Sequence, residues 1–176
     1  MNNPDASAQR ERSDDSVRVV GSGFGWSLRS TEQALLAGIK GASHEILVCA
    51  YHLNAGASDI WDALSISVVR GVSCVVVCND LTNQTSAKAM LRRLVAAGGD
   101  HVQVYECPES PTSRGLHAKV LVADRRYAVI GSANLSFRGL NAAHEMGVVI
   151  EGPGAGAAAN AVTQLVHSRF SKRWTN

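Results

Sequence analysis

A histidine and a lysine two residues apart, His117 and Lys119, open the segment of this sequence whose side chains are spaced to share a ligand. On a strand, residues two apart point to one face, so imidazole and ammonium stand together while Ala118 and Val120 turn to the core. The lysine supplies positive charge, and the imidazole can attack or transfer a proton near neutral pH. Asp124-Arg125-Arg126 reads as the tight turn of a hairpin, which lays a second strand alongside. That strand ends in Gly131, Ser132 and Asn134. The glycine lets backbone approach a ligand closely, and the hydroxyl and amide offer donors. Such a set suits a tetrahedral phosphate.

His117-x-Lys119, four residues, Asp124, six residues, then Gly131-Ser132-x-Asn134 resembles the HKD signature of the phospholipase D superfamily. Asn141 and Glu145 also fit its downstream pattern. Over about Ser30 to Phe170 the chain is similar to the small Nuc-type bacterial endonucleases of that superfamily. The resemblance implies a two-step displacement through a phosphohistidine. One histidine attacks phosphorus, and a second, from another HKD motif, protonates the leaving oxygen. It further implies Lys119, Ser132 and Asn134 as phosphate ligands and Glu145 as the carboxylate that orients His117. Lysines and amide donors then do the electrostatic work a metal does elsewhere, so neither metal nor cofactor is expected. Asp124 faces away from Lys119 by alternation and is assigned a structural role with Gly131. Only one HKD motif is present, and single-motif members pair two chains. A twofold homodimer follows, with the site on or near its axis.

The elements that must position these groups alternate. Residues 1–16 read as a disordered tail, and 17–176 as a single catalytic domain. Val17 to Val20 is expected as a short strand, ended by a flexible turn at Gly21 to Gly25. Ser30 opens a helix, with Gln33 as its capping-box partner. Glu45 to Leu53 is a strand covered on both faces, followed by a helix from Ser58 or Asp59 to Arg70, a strand at Val72 to Cys78, a helix at Ser86 to Ala97 and a strand at His101 to Tyr105. After a Pro/Ser/Thr-rich loop come three strands, Leu116 to Ala123, Tyr127 to Gly131 and Glu145 to Ile150, then a helix at about Ala157 to Phe170. The class is α/β: a mixed, largely parallel central sheet sandwiched by helices.

Composition narrows the function. Of 176 residues, 45% are apolar, enough for one core, and a net charge of +2 excludes a polycation. A nucleic-acid substrate must therefore be met by local cations, and Arg114 and Arg138, flanking the motif, are the candidates. The four cysteines fall in apolar runs and read as buried hydrophobes. His44, His52, His101, His144 and His167 lack catalytic context, and the tryptophans are too scattered for a stacking platform. No apolar run is long enough for a membrane span and no signal-peptide pattern opens the chain, so a cytoplasmic protein without membrane association is expected. The leading expectation is a metal-independent nuclease cutting DNA or RNA with little sequence preference. Two alternatives stay open: a lipid phosphodiesterase of the phospholipase D type, and a nucleic-acid-binding subunit of a bacterial defence or restriction complex.

Overall fold

The computed structural model describes residues 14–24, 29–109 and 115–175. Among them nine strands form one sheet: β1 (Ser16–Ser22), β2 (Arg29–Ser30), β3 (Glu45–Ala50), β4 (Ser73–Asn79), β5 (Val102–Cys107), β6 (Val120–Ala123), β7 (Tyr127–Gly131), β8 (Glu145–Glu151) and β9 (Lys172–Arg173). Their spatial order is β2-β1-β8-β7-β6-β3-β4-β5-β9. Four helices complete the chain: α1 (Thr31–Gly41), α2 (Ser58–Val69), α3 (Thr85–Gly98) and α4 (Pro153–Val166).

The mixed sheet between helices is as expected, but "largely parallel" holds for only part of it. Parallel pairing joins β3, β4 and β5, and the short β2 to β1. The pairs β1/β8, β3/β6, β5/β9, β6/β7 and β7/β8 are antiparallel. Helical crossovers occur in the first half, where α2 and α3 carry the chain back; the tight turn Asp124–Arg126 after β6 forces a reversal.

Strand alternation sorts the core into two layers. Ile46, Val48, Val76, Leu121 and Val149 pack under α1, α2 and α3, with Leu35, Ile39, Leu64 and Leu91 from the helices. Leu47, Cys49, Val77, Val122 and Ala128 face the other way and meet Ala155, Ala159 and Val162 of α4. The four cysteines are buried and unbridged, and burial pushes the Cys49 and Cys74 thiols up to about 12.

Several boundaries differ from the sequence expectation. Residues 1–13 of the supposed tail and Gly25 of the supposed turn lie outside the described residues. Asp15 and Ser16, however, belong to the fold: Ser16 opens β1, and Asp15 Oδ1 accepts from Gly154 N at 2.8 Å. That carboxylate caps α4, which starts at Pro153 rather than near Ala157. Proline is tolerated in the first turn, where its missing N–H has no helical partner to lose. β1 also runs on to Ser22, because its glycine-containing end pairs with β8 through Gly21–Met146 and Ser22–Glu145. β6 begins at Val120, not Leu116, since Cys49–Val120 is the last pair of its ladder with β3.

The β6–β7 turn is held by an unusual anchor. Asp124 and Arg125 both adopt left-handed backbone, with φ of 48° and 57°. The Asp124 carboxylate accepts from the backbone N–H of Ser43 at 2.8 Å, His44 at 2.8 Å and Glu45 at 2.9 Å. Arg125 pairs with Glu45 and donates to Asn160 Oδ1 of α4 at 2.9 Å. Burial raises the Asp124 pKa, but the three backbone donors, helped by His44, outweigh it, and the net value lies below the ordinary carboxylate. A depressed folded pKa gives stability that is complete above the unfolded value near 3.9 and lost as pH falls through the folded one. Asp124→Asn should therefore cost about 1–2 kcal/mol at pH 7. Urea denaturation of both proteins at descending pH should show the gap closing in acid; a constant gap would refute the ionised anchor.

Candidate active site

The strand directions bring one edge of the sheet to life. β3 and β4 end there, β6 begins there opposite the end of β3, β7 ends there, and β8 begins there. His117 and Lys119 lie in the extended segment just before β6, Ser132 and Asn134 just after β7, and Glu145 opens β8. All five candidates thus gather at the carboxyl edge of the parallel strands, where open α/β sheets place their ligands.

His117 is exposed and Lys119 half-buried. Lys119 Nζ lies 3.0 Å from Nδ1 and 3.2 Å from Nε2 of His117, and donates to the His117 carbonyl at 2.8 Å. The Tyr51 ring, at the end of β3, backs both. Its centroid is 4.5 Å from that of His117, tilted by 50°, and 5.0 Å from Lys119 Nζ. Burial lowers the Lys119 pKa, and the Glu145 carboxylate partly offsets this.

Glu145 does not orient His117 in this structure. Its carboxylate accepts from Ser132 Oγ, while the imidazole nitrogens face Lys119. Ser132 Oγ also accepts from Met146 N at 3.2 Å, and Ser132 N donates to Met146 O at 3.1 Å, so the serine is knitted into the start of β8. Gly131 likewise serves protein packing. A Cβ there would lie 2.9 Å from Met146 O and 3.0 Å from Gly147 Cα, so β8 approaches this position closely. Asn134 is half-buried, and its Oδ1 has no hydrogen-bond partner.

Asp124 sits at the far end of β6, away from this edge. Arg114 lies outside the described residues. Arg138 is exposed at the first position of a π-type turn, Arg138–Ala142, beside an open cleft of about 530 Å³ that Asn134 and Glu145 also line. Among the described residues no three His, Cys, Asp or Glu side chains group closely enough to hold a metal ion, and no helix is long and apolar enough to cross a membrane.

Sequence reasoning missed two residues here. Tyr51 was read only as strand, and Asn79, the buried last residue of β4, was not singled out. Asn79 Oδ1 accepts from Leu116 N at 3.0 Å, and its Nδ2 donates to Glu109 Oε1 at 2.6 Å. It therefore ties down the segment that carries His117. Both sit at carboxyl ends of parallel strands, a position that could have flagged them.

Residues 35–174 match the family model described as "Cardiolipin synthase, PLD-like domain". The chain belongs to this phospholipase D-like family. Cardiolipin synthase A of Erwinia tasmaniensis is 25% identical over 174 residues, covering 94% of this chain and 34% of that protein. DISARM protein DrmC of Bacillus paralicheniformis is 28% identical over 166 residues, covering 94% and 68%. The chain thus spans about a third of the cardiolipin synthase it matches. Among solved structures, the phospholipase D family member Nuc from Salmonella typhimurium superposes with a TM-score of 0.76 at 23% identity, covering 93% of this chain and 100% of that one. NucT from Helicobacter pylori gives 0.70 at 16%, covering 86% and 95%. At these identities the two structures establish a shared fold.

One glycine sets the position of Asn134. A Cβ on Gly139 would stand 2.5 Å from Asn134 O and 2.9 Å from its N, backbone atoms that cannot swing aside. Gly139→Ala should cost about 1–3 kcal/mol by forced overpacking and shift the Asn134 amide resonance. An unchanged melting temperature together with an unmoved resonance would show that the turn yields freely.

Proposed function

We propose that this chain is a metal-independent nuclease that hydrolyses DNA or RNA phosphodiester bonds with little sequence preference, in a site completed by a second copy. The observation that carries this is the placement of His117 and Lys119. An exposed imidazole has an ammonium within 3.0–3.2 Å of its nitrogens, at a sheet edge open to a large ligand. In the proposed reaction an imidazole nitrogen of His117 attacks phosphorus as the bond to the leaving oxygen breaks. That oxygen takes a proton from His117 of the partner subunit. Water then attacks the phosphohistidine, returns its proton to the partner's His117, and the P–N bond breaks. Lys119 and the Asn134 amide are assigned to the nonbridging oxygens. Glu145, through Ser132, is assigned to fixing the loop after β7.

A surface beside the site supports the second copy. Val17, Val19 and Met146 are 62%, 50% and 52% exposed. By register they share one face of β1 and β8 with the half-buried Val148, on the side that carries α4. This apolar strip begins next to Ser132 and Glu145, and joining it to its own copy buries it by an isologous contact.

A second reading, lipid phosphodiester chemistry, is favoured by the description of the family model and by the cardiolipin synthase relatives. Substrate choice separates the two. In EDTA, the wild-type protein should cleave DNA or RNA oligonucleotides, and His117→Ala should lose several orders of magnitude in rate. Headgroup release from phospholipid vesicles with nucleic acids left intact would move the assignment to lipid; cleavage that stops in EDTA would end the metal-independent mechanism.

Light scattering should give twice the chain mass, and Val19→Asp should give a folded monomer with no cleavage activity. An active monomer would remove the shared site.

A further inference from the structure

We propose that the cleft between Asn54 and Phe137 holds a nucleotide next to the scissile phosphate, its base stacked on Phe137 and its neighbouring phosphate met by Arg138. Single-stranded nucleic acid is then the substrate class. The inference rests on the nuclease reading above and names the substrate of that site.

Phe137 is 63% exposed, a large apolar ring left in water at the rim of a cleft of about 530 Å³, within the range of nucleotide-sized ligand sites. It is not one of the residues of the apolar strip on β1 and β8. The ring is presented on a braced turn. Gly139 N donates to Ser136 Oγ at 3.1 Å and Leu140 N to Ser136 O at 3.0 Å. Beneath it, the segment after β3 is laced to the segment after β7 by Asn54 N to Leu135 O at 3.0 Å and Leu135 N to His52 O at 3.1 Å. A Cβ on Gly56 would stand 3.1 Å from both Phe137 Cβ and N, so the two segments are in contact. A flat apolar surface held this way loses little entropy when a base stacks on it.

The rest of the cleft supplies what a base and a phosphate need. His52 and Asn54, paired through Nε2 and Nδ2 at 3.3 Å, line it and offer polar groups to a base edge. Arg138 lines it too and takes part in none of the ion pairs found among the described residues. Asn134 and Glu145 belong both to this cleft and to the candidate active site, which places the bound nucleotide beside the reacting phosphate. Stacking needs a base whose face is free. Paired bases inside a duplex hide theirs, so the platform selects single strands.

The test uses the full chain carrying His117→Ala, so that binding is read without turnover. Fluorescence anisotropy measures its affinity for a labelled single-stranded oligonucleotide and for a hairpin duplex of equal length. Adding Phe137→Ala should weaken single-strand binding on the order of ten-fold or more, Phe137→Trp should restore it, and duplex binding should not change. Arg138→Ala should flatten the slope of log affinity against log salt by about 0.7 for the single strand. Unchanged single-strand affinity in Phe137→Ala, or tighter binding of duplex by the parent, overturns the proposal. So does a Phe137→Ala loss confined to phosphatidylglycerol vesicles, which would give the ring to lipid. Cleavage assays on otherwise wild-type protein separate the two levels of failure. Nucleic acid left uncut by the wild type sinks the nuclease reading, whereas cutting with the same KM for single strands by wild type and Phe137→Ala sinks this inference alone.

Discussion

The Asp124 carboxylate, accepting three successive backbone N–H groups from Ser43 to Glu45, clamps the β6–β7 turn to the entry of β3. Everything at the opposite edge depends on the register this sets. With Ile46 opposite Ala123, the ladder must run to Cys49 opposite Val120, and the chain just before Val120 carries Lys119 and His117. A slip of one residue would turn each side chain of β6 to the other face, exchanging Leu121 and Val122 between two different cores. The aspartate of the motif thus acts on the histidine and lysine from the far end of a four-residue strand, through register. Its neighbour Arg125 adds a strap to α4, and the left-handed backbone of both residues is tolerated because these bonds hold it.

The two faces of the sheet are covered unequally, and this asymmetry connects fold to assembly. Three helices cover one face, while α4 alone packs on the other against β3, β6, β7 and β8. Under α4 the alternating residues are buried; beyond it, on β1 and β8, Val17, Val19 and Met146 keep the same apolar character without cover. On the proposed reading, this uncovered strip is where a second copy seats. The strip lies against the site because β8 contributes to both, with Glu145 at its first position and Met146 at its second.

How much of this was legible depended on whether local spacing or distant contact decided the outcome. The hairpin, the apolar strands and the capped start of α1 are local, and periodicity with turn chemistry exposed them. The order β7-β6-β3 is not local, so the extent of parallel pairing was overstated. Pro153 as a helix start was obscured because its capping carboxylate, Asp15, comes from the other end of the chain. Tyr51 and Asn79 carry no motif, and only the topology shows that the ends of β3 and β4 meet the segment before β6. Phe137 carries no motif either; it precedes a π-type turn, which no sequence period announces.

Charge balance decides which further residue the candidate site must draw on. Each chain brings one ammonium, Lys119, and one carboxylate, Glu145, close enough for the second to oppose the first. Two copies double both, leaving the fixed charges near balance, whereas a phosphodiester backbone brings a negative charge at each linkage. The bond from Ser132 spreads the Glu145 charge without removing it. Arg138 is exposed at the rim and outside every ion pair found among the described residues, and on the proposed reading it supplies the uncompensated positive charge. On the proposed reading, the excess positive charge at the reacting phosphate is the one proton carried by the imidazole pair, and attraction for the rest of the strand comes from beside it. That division matches the polymer: one phosphate is cut, and its neighbours supply the binding.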